Sequence, residues 1–517
     1  MKRSASSILD PYGRPVPYSR FPSRSRRTTY AAAKTNRLTG DWMPVNTDIN
    51  QIIASSRRMI TARARQLVRD FPPCRKALEA LVNRTGKFKF QSRVKNADGQ
   101  IDRRLRRKIE DAFNFWMDEA DVSGRLHFAE MIRLAKRQDA EVGEFLFVKT
   151  KSRKSGRYIP FALQMYESDW LTTQYDTFYG GGIGRTSNGT EIYQGIEYDA
   201  STGERIAYHF ADPNGYSTTY QRVSADQVIH GFDMLRPGQL RGVSLFAAGI
   251  LLAHDLGDYM DAEIDTAKLA AKYLGIVKTP DPQGFQNLRT TTNPDDTSQK
   301  IEELENAIIE YLRPGEEITF AQHNRPGESF EPFVKFILRM FAISVGISYE
   351  LVSGDYQGLN YTVLRGIRND LKADLQPHQD RHIRQLCRPV ARVVMDELVL
   401  SGRLSLPGYW TNPAPYLKHE WLPPEWPSID PLKEGRADAD AVKSRHKSPQ
   451  EVITARSRDP EDVLDEIEEW EAMLDERGLK VEEITNSEKT NPASLDNEDS
   501  SVDDEEKGSR AAHLSLV

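Results

Sequence analysis

The sequence predicts an α+β protein that is predominantly helical, and three observations carry that expectation. Helix-spaced apolar residues recur in long runs near both ends of the ordered portion. Between about 158 and 230 the pattern changes to short alternating segments such as "YIPFALQMY" and "ERIAYHFA", broken by Gly and Asn clusters. Beyond 244, two long helical runs bracket an insert rich in Pro, Gly, Asn and Thr.

Residues 1–47 are rich in Ser, Arg, Pro and Tyr without periodicity and read as a disordered basic arm. The stretch 48–86 gives one helix, a break at Pro72–Pro73, and a second helix stopped by Gly86. Further helices are expected over 103–119 and 127–139, followed by the strand "EFLFVKT" and the β-rich stretch to 230. Ser244 can cap a helix running to 273, which at about 1.5 Å per residue would reach roughly 40 Å. The insert 280–297, a helix "SQKIEELENAIIEYL" and a short strand "EEITFAQ" follow. Ser329 is placed to cap the second long helix, to 347, with Pro332 tolerated in its first turn. Two such helices separated by a compact excursion should pack as an antiparallel pair, because consecutive elements prefer to be neighbours. A Gly-containing loop near 350–360, a long helix on either side of Pro377, a Trp/Pro-rich stretch from 410 to 431, and a charged helix over 459–476 complete the order. The last residues, 481–517, carry almost no aromatic side chains and read as a disordered acidic tail.

The 517 residues, 38% of them hydrophobic, suffice for two or three cored domains. No apolar run reaches the roughly 18 residues of a membrane span, and no secretory leader is evident, so the chain is expected to stay in the cell that makes it. Cys74 and Cys387 lie far apart without a CxxC context and read as buried free thiols. The net charge of -6 hides a polarity: residues 1–107 carry 25 Lys/Arg against 7 Asp/Glu, whereas 459–506 carry 3 against 20. The basic end is a solvated arm, or it meets nucleic acid or an acidic neighbour.

Signatures of chemistry are missing. There is no GxxxxGK[ST] cradle for a nucleotide, "YGGGIGR" (179–185) has the wrong spacing for a dinucleotide fingerprint, and GxSxG does not occur. His378 and His382 stand four apart on a helix but lack the HExxH glutamate, and surface histidines are the expected reading. No metal and no cofactor is expected, and the chain reads as non-enzymatic. The most informative physical feature is acidic: Asp255, Asp258 and Asp265 recur at helical spacing as one stripe. Alone, such a stripe is a solvated face; repeated around an axis it would repel DNA phosphates from a channel wall. On the second long helix Lys335 and Arg339 stand at i, i+4, ready to pair with a neighbour's carboxylates or to face water.

Three segments in order, "VIHGFDMLRPGQLRGVSLFAAGI" (228–250), "SFEPFVKFILRMFAISVGISYELVSGDYQGLNYTVLRGIRND" (329–370) and "EWLPPEWPSIDPLKEGRADADAV" (420–442), resemble the lambda family of phage portal proteins. The resemblance spans roughly 50–480. The family's "SYSS"-like element after the channel loop reads Asn360-Tyr361-Thr362-Val363 here, a departure that bears on how the following helix starts. The resemblance implies a wing (48–243), a stem of two helices (244–273 and 329–347), a small α/β clip (274–328), a tunnel loop with its following helix (348–384), and a helical crown (385–480). It further implies a ring, usually of twelve copies, at one vertex of the virion capsid, assembled in the host cytoplasm, with double-stranded DNA packaged and ejected through the bore. The implied partners are the terminase large subunit, a head–tail connector or adaptor, and the major capsid and scaffold proteins, with no membrane. By motif position Asp355, Tyr356, Gln357, Gly358 and Asn360 would lie nearest the duplex, with Asp255, Asp258 and Asp265 lining the channel. A phage scaffold or another DNA-binding structural protein would not need the helix–excursion–helix order. An unrecognised hydrolase would show metal-dependent activity.

Overall fold

A computed structural model describes residues 44–86, 88–95, 101–173, 184–185, 189–211, 221–272, 276–278, 317–319, 327, 329–424 and 426–477. The expected acidic tail, most of the basic arm and most of the clip, including its expected helix, lie outside the described residues.

The chain opens with α1 (Ile49–Asp70) and α2 (Pro72–Thr85). The Asp48 carboxylate caps α1 by accepting from the Asn50 N–H at 2.8 Å, and Pro72 starts α2 where no intrahelical donor is required. Next come β1 (Lys89–Ser92), α3 (Arg103–Asp118) and α4 (Phe128–Glu141). His127 and Glu130 close a capping box at the start of α4. The β-rich part follows as β2 (Glu144–Lys151), β3 (Phe161–Tyr166), β4 (Gly184–Arg185), β5 (Glu191–Tyr193), β6 (Ile196–Tyr198), β7 (Arg205–Phe210), β8 (Gln221–Ser224) and β9 (Val228–Phe232). These strands make a three-stranded sheet in the order β3-β2-β9 and a five-stranded antiparallel meander from β4 to β8.

The first long helix, α5, spans Ile250–Lys272 and is shorter than its sequence suggests. The Ser244 hydroxyl does cap, accepting from the Phe246 N–H, but it caps a 3₁₀ turn over Leu245–Ala248, and the α-helix begins only after Gly249. The reason is a close crossing: a Cβ on Gly249 would stand 2.3 Å from the Ser344 hydroxyl oxygen. Short strands β10 (Ile276–Lys278) and β11 (Glu317–Thr319) pair antiparallel. Then α6 (Phe330–Val345) returns. Ser329 makes no capping bond, so the expected cap is corrected; Pro332 sits in the first turn. Phe246 stacks on Phe341 while Tyr259 meets Phe330 and Phe333, so the beginning of one helix lies against the end of the other and the pair is antiparallel.

After α7 (Tyr349–Ser353), α8 (Tyr361–His382) runs through Pro377 without ending and continues through a π turn, Ile383–Cys387, into α9 (Arg388–Leu400). Pro389 cannot donate to the Gln385 carbonyl and would crowd it, and the wider π turn absorbs that conflict. The chain ends with β12 (His419–Leu422), α10 (Pro431–Lys443), α11 (Pro449–Ala455) and α12 (Pro460–Glu476).

Three apolar clusters hold these elements. The largest joins α3, α4, β2 and β3 to α9, with Phe90, Phe113, Trp116, Phe128 and Trp421 at its aromatic centre. Within it β12 pairs with β1, placing Trp421 opposite Phe90. Beyond α8, α9 and β12 complete the first core, whereas α10, α11 and α12 bury no residue of their own. The second cluster packs α1 and α2 against the start of α5, the end of α6, α7 and α8. The third lies between the two sheets.

Candidate functional site

Three features define the candidate site: the antiparallel pair α5 and α6, the loop that follows α6, and the buried charges near the start of α5. The loop's first half is short helix: α7 runs to Ser353, Gly354 turns left-handed (φ 71°), and only 354–360 is irregular. Asp355 is held from three sides. It accepts from the Gln357 N–H at 3.1 Å, lies 3.2 Å from the Lys335 ammonium, and accepts from the Tyr349 hydroxyl at 3.4 Å. The Gln357 N–H foremost, then Lys335, lowers its carboxyl below the usual range. Tyr356, Gln357 and Gly358 are left exposed, with Gly358 again left-handed (φ 72°). Asn360 uses its side chain to cap α8, accepting from the Val363 N–H at 2.9 Å, which settles how the helix starts without a serine-rich element. Behind the loop a hollow of about 560 Å³ is bordered by Arg84, Leu351, Tyr356, Arg368 and Trp426. The Arg84 guanidinium stacks 5.7 Å above the Trp426 ring.

Lys335 and Arg339 both turn inward, to their own chain. Lys335 pairs with Glu331 at 2.8 Å besides Asp355, and Arg339 lies over the Tyr349 ring at 5.2 Å. Within the chain these contacts form a clasp between α6 and the loop. Periodicity within α6 could not reveal it, because both partners come from the segment after the helix.

The acidic stripe is where the spacing put it. Asp255, Asp258 and Asp265 are exposed on α5, opposite the buried Ala253 and Leu256. Asp258 faces His254 at 3.1 Å and Asp265 faces Lys268 at 3.0 Å; Asp255 makes no ion pair among the described residues. On α6 the same helix carries two apolar faces. Phe341, Ala342 and Val345 are buried, while Phe333, Phe336, Met340 and Ile343 form a separate strip, 42–71% exposed.

Sequence reasoning missed the buried charges near the start of α5. Glu144, fully buried on β2, accepts from Arg241 Nη2 at 2.6 Å and Nε at 3.0 Å, from the Gly242 N–H at 2.9 Å, and from Arg57 Nη1 at 3.3 Å. Arg241 also donates to the carbonyls of Gln194 and Ser168, tying α1, both sheets and the approach to α5 to one carboxylate. Burial alone would raise the Glu144 carboxyl; Arg241, then Arg57, outweigh it and hold it well below the usual range. Gly143 beside it adopts φ 101° because Val243 passes within 2.4 Å of where a Cβ would stand, so the approach segment threads a gap that only glycine leaves open. The one signal in the sequence was the Arg inside "QLRGVS".

A second buried cluster joins α4 to α8. Asp139 accepts from Lys136 at 2.9 Å and from both terminal nitrogens of Arg381 at 2.8 Å. His382 is fully buried beside it and His378 half-buried, which corrects the reading of both as surface histidines. Burial lowers His230 and His378 to about 4 and His382 to about 3. All three are neutral in the folded protein, whereas the unfolded chain protonates them near 6.5. The unfolded state therefore takes up more protons as pH falls from about 6.5 to 4, and the fold loses stability across that window, on the order of 3 kcal/mol for each fully buried imidazole. The urea midpoint should drop markedly between pH 7 and pH 4.5; an unchanged midpoint would contradict the neutral assignment.

Burial also raises the thiols of Cys74, to about 12, and Cys387. Among the described residues no three His, Cys, Asp or Glu side chains converge as a metal site, and no helix is long and apolar enough to cross a membrane.

A family model described as phage portal protein, lambda family, matches residues 35–379. A probable portal protein of Halomonas phage phiHAP-1 is 29% identical over 476 residues, covering 87% of this chain and 88% of that protein. The portal protein of Escherichia phage N15 is 20% identical and portal protein B of Escherichia phage lambda 19%, each over 52% of this chain and 54% of the relative. Among solved structures, a chain from the neck of a native GTA particle superposes with a TM-score of 0.43 at 13% identity, over 79% of this chain and 99% of that one.

Proposed function

The chain belongs to the lambda family of phage portal proteins, and from that premise we propose that it is a non-enzymatic subunit of a ring, of about twelve copies, at one vertex of the virion capsid. The observation that carries the ring is the second apolar face of α6. Phe336, Met340 and Ile343 recur every three to four residues and stay 42–71% exposed, while Phe333 beside them meets only the edge of Tyr259 among the described residues. A stem that shows apolar side chains on the side away from its core needs a neighbour to cover them, and a closed ring supplies one to every copy.

In that ring the stem pair, the clip and the loop would form the passage for double-stranded DNA during packaging and ejection. Repeated around the axis, Asp255, Asp258 and Asp265 would keep the wall from adhering to phosphates. The loop would approach the duplex through Tyr356, Gln357 and Gly358, the residues left outside the Lys335–Asp355 clasp. The clip would dock the terminase large subunit and later a head–tail connector, and the wing would meet the major capsid and scaffold proteins.

The mass and symmetry of the purified assembly test this reading, by native mass spectrometry and electron-microscopy class averages. Rings with a central hole are expected, and a persistent monomer or dimer at high concentration would overturn it. A finer test is to replace Asp355 to Gln357 with a Gly-Ser stretch. The ring should persist while packaging or retention of DNA falls; normal packaging and retention would remove the loop from the proposal.

A further inference from the structure

On α12, two surfaces do different things. One face is latched to α3: Arg106, itself buried, pairs with Asp459 at 3.0 Å, Glu461 at 3.0 Å and Asp462 at 2.8 Å, while Arg103 and Arg107 reach Asp465. Leu464, Ile467, Trp470 and Met473 follow at three-residue spacing, 45–57% exposed, as a strip that winds from the side opposite the latch through about half a turn of the helix. Beside this strip Glu468, Glu469, Glu471, Asp475 and Glu476 are exposed and make no ion pair among the described residues. A surface that joins exposed apolar side chains to five exposed carboxylates, with Arg477 the one cation beside them, favours an occupant with apolar side chains among cations.

We propose that this strip is the docking site of the chain's own basic arm, residues 1–43, through the stretch 20–37. That stretch holds Arg20, Arg24, Arg26, Arg27, Lys34 and Arg37 with no acidic residue, and Phe21 and Tyr30 stand among them. The competing occupants carry the wrong sign. The tail 478–517 has 10 Asp/Glu against 4 Lys/Arg, and a second α12 would bring the same five carboxylates. The apolar anchors Tyr30 and Phe21 lie 14 and 23 residues before the first described residue, so the chain carries them up to about 46–50 Å and 76–83 Å from it when extended. Tethering gives the arm an effective concentration in the millimolar range, so a weak contact is enough.

Two measurements on the full-length protein test this. With trypsin at low salt, cleavage within 20–37 should be about tenfold slower than in the Glu468→Lys/Glu469→Lys/Glu471→Lys variant, the protection vanishing in about 1 M salt. All three residues are exposed, so the variant should fold and form the same assembly as the wild type, and cleavage elsewhere should not change. With a carbodiimide, which joins an amine to a carboxylate with loss of water, Lys34 should couple to Glu468, Glu469 or Glu471. Equal cleavage of arm and variant, or coupling of these carboxylates to Lys480, Lys489 or Lys507 in place of Lys34, overturns the proposal. So does coupling to no arm lysine at all. None of these outcomes touches ring formation, which is read separately by mass.

Discussion

Glutamate at both Phe336 and Ile343 is expected to turn the assembled protein into single folded chains. Both side chains are exposed in the isolated subunit, 58% and 71%, so the exchange should change the stability of the chain itself by no more than about 0.5 kcal/mol. At a contact between copies, each unpaired carboxylate enters an apolar strip and costs several kcal/mol after relaxation. A ring repeats that penalty at every interface. Sedimentation velocity should show the wild type as one large species and the double variant as a monomer with an unchanged far-ultraviolet spectrum. Phe336→Leu with Ile343→Leu keeps the strip apolar and should assemble. Rings that survive the double glutamate variant would move the subunit contact elsewhere and leave α6 unexplained.

The second large effect is expected at Arg241. Arg241→Ala leaves the Glu144 carboxylate fully buried with Arg57 as its main cation and removes the donor that joins the carbonyls of Gln194 and Ser168 to it. Removing one partner of such a buried pair costs about 3–5 kcal/mol, a large share of the stability of any domain. Arg241→Lys should recover little, because an ammonium cannot reproduce the fork that reaches the carboxylate and both carbonyls at once. Arg241→Met combined with Glu144→Gln should recover more, since no unpaired charge then remains. Equilibrium urea unfolding measures all three, and a loss under about 1 kcal/mol for Arg241→Ala would refute the hub.

What could be read from the sequence was what is local. The break at Pro72, the cap at Ser244, the strand of Glu144–Lys151 and the acidic stripe of α5 all follow from spacing over a few residues, whereas Ser329 makes no capping bond and the caps at Asp48 and Asn360 went unread. Failures came where distant segments meet. Gly249 had to admit Ser344, so α5 starts late; Lys335 and Arg339 found Asp355 and Tyr349 outside their own helix. Glu144 and Arg241, 97 positions apart, were not singled out, because buried charges defy the hydrophobic pattern. His382 misled for the same reason.

The run from Tyr361 to Leu400 is one rod. Its 40 residues pass through Pro377 and the π turn without a break, giving about 60 Å of near-continuous helix. Its loop end, up to Asp370, has no buried residue and is tied only by surface contacts, Arg368 donating to the Pro427 carbonyl and Lys433 over the Tyr361 ring; the first buried anchors are Leu371 and Leu375, and the far end is fixed in the aromatic core. That is a cantilever. A sideways push on Tyr356 bends the free end about Leu371, whereas a pull along the axis is carried straight to Val390 and Val394 without stretching, because helix hydrogen bonds resist extension far more than the rod resists flexing. Force applied at the loop is thereby filtered by direction before it reaches the body of the subunit.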